Sequence, residues 1–255
     1  MIIISKILNT IPRHQLIKLS NWLRPIIALF LRGTKYTDPI DGKSYRKFLP
    51  YGYQKIRKNV LAPGTFSLER HRLFWIYPKN ETDFFSATKK KVLHFAPEQA
   101  FYNQFKKIKK INYTTTDLFS PLADVKADIC NLPFKDNEFD YIFCNHVLEH
   151  IPDDNKAMSE LFRVLAPNGI GVFQIPQDLS REFTFEDYSI KDPKERATIF
   201  GQYDHVRVYG RDYFDKLREI GFNVTAIDYT KKLTKKEIDK YRLAQGELIP
   251  VCRKF

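Results

Sequence analysis

The chain has 255 residues, of which 43% are hydrophobic and 15% aromatic, a composition that predicts a folded protein and excludes a disordered one. Its net charge of +12 favours an anionic partner, namely nucleic acid, an acidic membrane surface or an anionic substrate, unless the charge is only a soluble basic surface. The three cysteines, Cys130, Cys144 and Cys252, form no CxxC pair, so we expect no disulfide framework, no metal site and a reducing, cytoplasmic location.

Residues 1–37 contain six Lys or Arg and no acidic residue. A basic amphipathic helix, interrupted by Pro25, is predicted there by apolar residues at helical spacing: Leu16, Leu19, Leu23, Ile26 and Phe30. The run Ile26–Leu31 is far shorter than the about 20 residues of a membrane-spanning helix, and no signal-peptide cleavage site follows. The helix docks on the domain or, alternatively, residues 1–35 make a peripheral contact with a membrane.

The next segment is marked by turn signals, Asp38-Pro39, Asp41-Gly42 and Pro63-Gly64, around the aromatic, β-like stretch SYRKFLPYGY. Ser67 is placed to cap a helix through LERHRLFWIY, which we expect to end at Pro78. We therefore predict an N-terminal helical and ribbon-like extension over residues 1–78 and a main domain over residues 79–255.

From Lys91 onward, strands alternate with helices. The predicted strands are VLHFA, INYTTT, VKADI, FDYIFC, GVFQI, GFNVTAIDY and LIPVCRKF. The clearest helices are QAFYNQFKKIKK, DDNKAMSELFRVL with Asp153 as its cap, and RDYFDKLREI closed by Gly221. This order predicts an α/β fold with a doubly wound, mainly parallel, seven-stranded Rossmann-like sheet, whose terminal strand is antiparallel.

Ligands of doubly wound sheets bind beyond the carboxyl ends of the strands, and four predicted strand ends here suit a nucleoside. Ala96, Pro97 and Glu98 follow the first strand. Asp117, with Leu118 beside it, follows the second strand, and its carboxylate can accept both ribose hydroxyls. The simpler alternative for Asp117 is a helix cap.

The third and fourth strand ends complete this predicted site. Asp128 can accept a proton from an exocyclic amine, while the backbone at Ile129 or Cys130 reaches a ring nitrogen. Asn145 and His146 follow the fourth strand, where they would face a reacting group. The simpler alternative for Asp128 is a turn residue.

Motifs in this region resemble the core of class I S-adenosylmethionine-dependent methyltransferases, specifically a type 11-like group. The matching motifs are Leu132-Pro133-Phe134, Phe139-Asp140, Leu148-Glu149-His150 and Leu165-Ala166-Pro167-Asn168-Gly169. The resemblance implies S-adenosylmethionine as the cofactor. It also implies that Asp117 holds the ribose, that Asp128 bonds the adenine amine, and that residues 145–150 floor the pocket beside the sulfonium.

The first loop departs from the pattern of that family, VLDxGxGxG, and reads VLHFAPEQA over residues 92–100. No glycine occurs between Gly64 and Gly169, although glycine normally permits positive φ and close backbone approach. Glu98 occupies a glycine position and would repel a pyrophosphate, but it can pair with the ammonium group of S-adenosylmethionine. The alternative is a degenerate domain that no longer binds the cofactor.

A second group of residues lies in FGQYDHVRVYG, which resembles the segment that closes over the pocket in related methyltransferases. There His205 can act as a general base and Arg207 can hold an anionic substrate group, with His146 as a further catalytic candidate. Alternatively, a His–Asp–Arg network stiffens this loop. The region 36–75 resembles a zinc ribbon of some relatives without its cysteines, so zinc is not expected there.

These observations predict a methyltransferase acting on a small or membrane-associated acceptor, with an anionic acceptor as one option. An RNA methyltransferase is the second reading, which the net charge and the ribbon-like region support, although no aromatic-interleaved basic motif is present. A non-catalytic binding module with a degenerate cofactor fold is the third.

Overall fold

The computed structural model describes residues 13–52 and 56–255, with side chains described from Trp22 onward. Its contacts divide the chain into two compact units. The first unit is Met1–Ile76 with Thr230–Gln245, and the second is Tyr77–Tyr229 with Gly246–Phe255. The predicted linear division at residue 78 did not include Thr230–Gln245 in the N-terminal part.

The N-terminal elements of the first unit are one helix and two small hairpins. They are α1 (Arg13–Phe30), β1 (Arg32–Thr37) paired with β2 (Ser44–Tyr45), and β3 (Leu49–Tyr51) paired with β4 (Arg57–Leu61), both pairs antiparallel. Leu31, Tyr45, Phe48 and Ala62 form a buried apolar cluster on which Ile27 of α1 packs.

Helix α2 (Glu69–Glu81) corrects two details of the prediction. Ser67 does not cap it, because the Ser67 hydroxyl donates to Asp38, and the Leu68 N–H instead donates to His71 Nδ1 at 3.1 Å. The helix also runs three residues past Pro78. A proline removes one backbone N–H, but here the Thr82 hydroxyl donates to the Pro78 carbonyl at 2.8 Å and satisfies a carbonyl of the last turn.

The second unit contains the main sheet, and its elements continue in chain order. They are β5 (Lys90–Phe95), α3 (Gln99–Phe105), β6 (Ile111–Asp117), β7 (Val125–Lys126), β8 (Phe139–Cys144), α4 (Asp154–Val164), β9 (Leu165–Val172), β10 (Phe185–Glu186), α5 (Pro193–Ile199), β11 (Arg207–Val208), α6 (Tyr213–Ile220), β12 (Asn223–Ile227), α7 (Lys235–Tyr241, which belongs to the first unit) and β13 (Ile249–Arg253). Short 3-10 turns occur at Leu148–His150 and Tyr229–Lys232.

The sheet has seven strands in the order β12-β13-β9-β8-β5-β6-β7. Strand β13 is antiparallel to both of its neighbours, and the other pairs are parallel. The predicted Rossmann-like fold and its antiparallel terminal strand are therefore confirmed.

Helix α4 shows how the sequence builds this unit. Asp153 accepts a hydrogen bond from the Lys156 N–H at 2.9 Å and so caps the first turn, as predicted. Ala157, Leu161 and Val164 recur at helical spacing and are fully buried. Burying one such aliphatic side chain larger than alanine contributes about 1.5–3 kcal/mol, so this face fixes the helix on the sheet.

Arg72 explains why Thr230–Gln245 belongs to the first unit. Its buried guanidinium donates to the carbonyls of Val60 at 2.9 Å, Ser67 at 2.7 Å, Tyr241 at 2.6 Å and Arg242 at 2.8 Å. Burial lowers the pKa of Arg72 to about 10, which still leaves it positive at neutral pH. One buried cation therefore ties two segments far apart in sequence to each other.

Candidate functional site

Three parallel strands bring the predicted cofactor residues to one edge of the sheet. Phe95 at the end of β5 aligns in register with Thr116 of β6 and with Cys144 of β8. The next residues of β6 and β8, Asp117 and Asn145, therefore emerge at the same edge of the sheet, on either side of β5. This is the edge at which doubly wound sheets bind their ligands.

The glycine-free loop after β5 still adopts a glycine-like backbone. Ala96 has a φ of 44°, and its N–H donates to the Thr116 carbonyl at 2.9 Å. A left-handed conformation costs an L-residue about 1–2 kcal/mol, and the small alanine side chain keeps the loop open. The turn geometry therefore persists although the glycines do not.

Glu98 is held at this edge by two side chains. Its Oε2 accepts a hydrogen bond from Asn145 Nδ2 at 3.1 Å and lies 3.5 Å from His94 Nε2. The other nitrogen of the fully buried His94 ring, Nδ1, lies 2.7 Å from the Tyr113 hydroxyl. His94 stands where the family pattern has an acid, so Glu98 supplies, four residues later, a carboxylate that the loop would otherwise lack.

Asp117 and Asp128 each close a turn. For Asp128 this was the simpler alternative, whereas for Asp117 that alternative was a helix cap, and no helix follows Asp117 in the structure. Asp117 Oδ1 accepts the N–H groups of Phe119 at 2.7 Å and Ser120 at 2.5 Å. Asp128 Oδ1 accepts the Cys130 N–H at 2.9 Å. These backbone hydrogen bonds use one oxygen of each carboxylate and leave the other oxygen as an acceptor for a ligand.

A histidine cluster consists of His146, Glu149 and His150, which follow β8, together with His205, which lies just before β11. His146 Nδ1 lies 3.4 Å from Glu149 Oε1, and the rings of His150 and His205 meet edge to face with centroids 4.7 Å apart. Burial lowers the pKa of His205, so its imidazole is neutral at pH 7. His146 has a positive φ of 55°, a second strained non-glycine residue at this edge.

The sequence names His146 and His205 as catalytic candidates, whereas it places Glu149 only in the LEH motif and in the pocket floor over residues 145–150. The signal for Glu149 is its burial, because a carboxylate is seldom fully enclosed without a partner. The side chain is 1% exposed. A small cavity of about 160 Å³ opens beside His205 and Arg207.

Arg207 is also buried, and all five of its N–H donors have acceptors. These acceptors are Glu186 Oε2, the Tyr188 hydroxyl, and the carbonyls of Leu148, Ile151 and Pro152. A guanidinium used in this way has no donor left for a substrate. The geometry thus favours the interpretation of a network that stiffens the loop.

Comparison with known proteins identifies the central part of the chain. Residues 85–173 match the model of a family described as "Methyltransferase domain". The sterol 24-C-methyltransferase erg6 of Schizosaccharomyces pombe is 30% identical over 109 residues, which cover 41% of this chain and 27% of that protein. The demethylmenaquinone methyltransferase of Staphylococcus carnosus is 41% identical over 63 residues, 25% of this chain and 26% of that protein. The chain thus spans about a quarter of the length of these relatives.

Among solved structures, a SAM dependent methyltransferase from Archaeoglobus fulgidus superimposes with a TM-score of 0.49 at 11% identity. The superposition covers 74% of this chain and 96% of that chain.

Proposed function

From the premise that residues 85–173 form a class I S-adenosylmethionine-dependent methyltransferase domain, we propose that the chain methylates a small acceptor located at a membrane surface. When bound, S-adenosylmethionine supplies an electrophilic methyl whose bond to sulfur breaks as the bond to the acceptor forms, and the electron pair stays on sulfur as a thioether. The observation that carries the proposal is the shared strand edge, where carboxylates follow neighbouring strands in register.

The hydrogen-bond acceptors at this edge of the sheet fit S-adenosylmethionine. Asp117 would accept from the ribose hydroxyls and Asp128 from the adenine amine. Glu98 would pair with the ammonium of the methionine part, since this cofactor carries two cationic groups and no phosphate. Ala96 and Asn145 would line the space between them.

We assign His146 as the base that takes the proton from the O–H or N–H group of the methyl acceptor. Its Nδ1 lies 3.4 Å from Glu149 Oε1, and its Nε2 is a buried atom that has no hydrogen-bond partner among the described residues. A carboxylate that orients one imidazole nitrogen leaves the other as a base. The proton of the acceptor would pass to Nε2, while positioning of the two reactants supplies most of the rate.

The membrane part of the proposal is supported by the distribution of charge. The first unit carries 20 of the 42 Lys and Arg residues but only 5 of the 30 Asp and Glu residues. The second unit, with 22 basic and 25 acidic residues, is close to neutral. The net charge of +12 is therefore concentrated in the first unit, where it favours an extended anionic surface over a small anionic substrate.

Helix α1 presents an apolar stripe to solvent on this basic unit. Trp22, Ile26, Leu29 and Phe30 are 69%, 44%, 61% and 72% exposed, and their spacing places them on one helix face. The opposite face, which includes Ile27, packs on the core of the unit. Basic residues beside an exposed aromatic and aliphatic stripe are typical of helices that lie in the interface of an anionic bilayer. No helix in the described parts of the chain is long and apolar enough to cross a membrane.

The names of the two curated relatives support the same class of acceptor, because a sterol and a demethylmenaquinone are small and largely apolar. An RNA acceptor is the competing possibility. RNA binding would use the same basic charge but would not require the exposed stripe.

Calorimetry with S-adenosylmethionine and S-adenosylhomocysteine tests the enzymatic part. We expect one site per chain with a micromolar dissociation constant for each. Absence of heat at millimolar cofactor would refute the proposal and identify a degenerate binding module.

Vesicle binding tests the membrane part, with Trp22 as an internal probe. Phosphatidylcholine vesicles containing phosphatidylserine should shift its fluorescence to shorter wavelength, and phosphatidylcholine alone should not. The double variant Ile26→Ser with Phe30→Ser should lose this binding, whereas Phe255→Ser, which removes an exposed aromatic outside the first unit, should retain it. If single-stranded RNA binds and the vesicles do not, the membrane proposal is wrong.

A further inference from the structure

The carboxylate of Glu149 is buried without hydrogen bonds that would stabilise its charge. Among the described residues neither of its oxygens has a hydrogen-bond partner, although His146 Nδ1 lies 3.4 Å from Oε1, and the side chain is 1% exposed. Enclosing an ionised carboxylate without hydrogen bonds costs several kcal/mol, so a buried carboxylate normally pairs with a cation or binds a metal.

The imidazoles of His150 and His205 lie close enough to the Glu149 carboxylate to bind the same cation. One ligand atom from each of Glu149, His150 and His205 lies within 4.8 Å of the other two. In a tetrahedral zinc site with bonds of about 2.1 Å, ligand atoms lie about 3.4 Å apart. The cluster would therefore contract by roughly 1 Å on binding, which small side-chain rotations can provide.

In each of these imidazoles, Nδ1 has a neighbouring oxygen. His205 Nδ1 lies 3.1 Å from the Phe200 carbonyl, and His150 Nδ1 lies 3.4 Å from Asp204 Oδ2. These partners favour a proton on Nδ1 and a lone pair on Nε2. Metal-binding histidines almost always have such a partner, which fixes both the tautomer and the direction of the ring.

We propose that Glu149, His150 and His205 bind a divalent transition-metal ion of the zinc class. Two imidazoles and one carboxylate suit zinc, cobalt or iron, whereas magnesium and calcium prefer oxygen ligands alone. Three protein ligands leave a fourth position for water or an oxygen of the acceptor. The binding of an acceptor oxygen to the metal rests on the proposed methyl transfer, in which His146 remains the proton acceptor. Metal binding itself does not rest on that proposal.

The test uses the full-length, untagged chain after removal of metals with a chelator, because a histidine tag would bind the same ions. Calorimetry with Zn²⁺ should show one site per chain at micromolar or lower concentration. Co²⁺ should give visible absorption bands of a four- or five-coordinate ion, without the near-ultraviolet band of thiolate coordination, which excludes the cysteines as ligands.

Substitutions then locate the site. Glu149→Gln and His205→Gln should each weaken Zn²⁺ binding by at least about 100-fold, since even outer partners of a metal site are worth 10–100-fold. Glu195→Gln, at an exposed acid outside the cluster, should bind as the wild type does. Circular dichroism checks folding, and His150→Gln replaces any variant that does not fold.

The proposal is wrong if the wild type fails to bind submillimolar Zn²⁺, or if folded variants at these three positions bind it as tightly as the wild type. Cofactor calorimetry on the metal-free protein keeps this outcome separate from failure of the proposed methyl transfer.

Discussion

Asp38 makes the stability of the first unit depend on pH. Its carboxylate is fully buried, with Oδ1 accepting the Ile40 N–H at 3.0 Å and Oδ2 accepting the hydroxyls of Thr65 and Ser67. These bonds join the segment around Asp38 to the turn that contains Thr65. Burial raises the pKa of Asp38 from its ordinary value of 3.8 to about 6, which the Thr65 hydrogen bond only partly opposes.

Because the pKa of Asp38 is raised in the folded state, the free energy of unfolding decreases as the pH rises. Since the folded state holds the proton more tightly than the unfolded state, Asp38 favours folding when it is protonated, and that advantage is lost as the pH rises from about 4 to above 6. At 1.36 kcal/mol per pH unit, the difference between 3.8 and about 6 corresponds to roughly 3 kcal/mol. Replacing Asp38 with Asn should remove this dependence, because the amide does not ionise.

The assay is urea unfolding followed by tryptophan fluorescence between pH 4 and pH 7.5. The only two tryptophans, Trp22 and Trp75, both belong to the first unit, so the signal reports on that unit. Relative to Asp38→Asn, the wild type should lose roughly 3 kcal/mol of unfolding free energy across this range. Glu195→Gln should show the wild-type dependence. If wild type and Asp38→Asn change in parallel with pH, the carboxyl is not buried as described and the reasoning fails.

Three further predictions concern the second unit. Glu98→Gln should weaken S-adenosylmethionine binding at least about tenfold in calorimetry, since a charge-assisted hydrogen bond contributes about 1.5–3 kcal/mol; an unchanged dissociation constant would exclude the ammonium contact. Ala96→Gly should raise the unfolding free energy by about 0.5–1 kcal/mol, because relief of a positive φ outweighs the flexibility of glycine in the unfolded chain; a destabilised variant would show that the loop is not strained. Arg207→Lys should lower the free energy of unfolding by about 3 kcal/mol, because a lysine cannot reach five acceptors; a neutral result in denaturant unfolding would contradict the buried network.

The sheet was predictable because its signals are local. Runs such as FDYIFC are short, apolar and bounded by polar residues, and the structure places β8 at Phe139–Cys144, the predicted residues. The end of α2 was not predictable from Pro78, because the helix continues to Glu81 although a proline removes one backbone N–H. The inclusion of Thr230–Gln245 in the first unit depends on Arg72, whose acceptors lie about 170 positions further along the chain.

The site residues also divide into those that local sequence signals place and those that depend on contacts between distant parts of the chain. Asp117 and Asn145 could be placed from the sequence because parallel strands in register must present their ends together. The role of Arg207 could not be judged, since its acceptors come from two short segments, residues 148–152 and 186–188, that have no periodic pattern. The cofactor contacts of Asp117 and Asp128 stay predictions, because each carboxylate both closes a turn and keeps one oxygen for a ligand.

The glycine-free loop was the main argument for a domain that had lost its cofactor, and the geometry weakens that argument. A loop without glycine could relax to an ordinary backbone, yet Ala96 has a left-handed φ and its N–H donates to the Thr116 carbonyl of β6. The missing acid at His94 is offset by Glu98, which His94 and Asn145 hold at the strand edge. Conformation and charge are thus both supplied by residues other than those in the family pattern. Absence of a motif is therefore weaker grounds for loss of function than absence of the geometry that the motif normally provides.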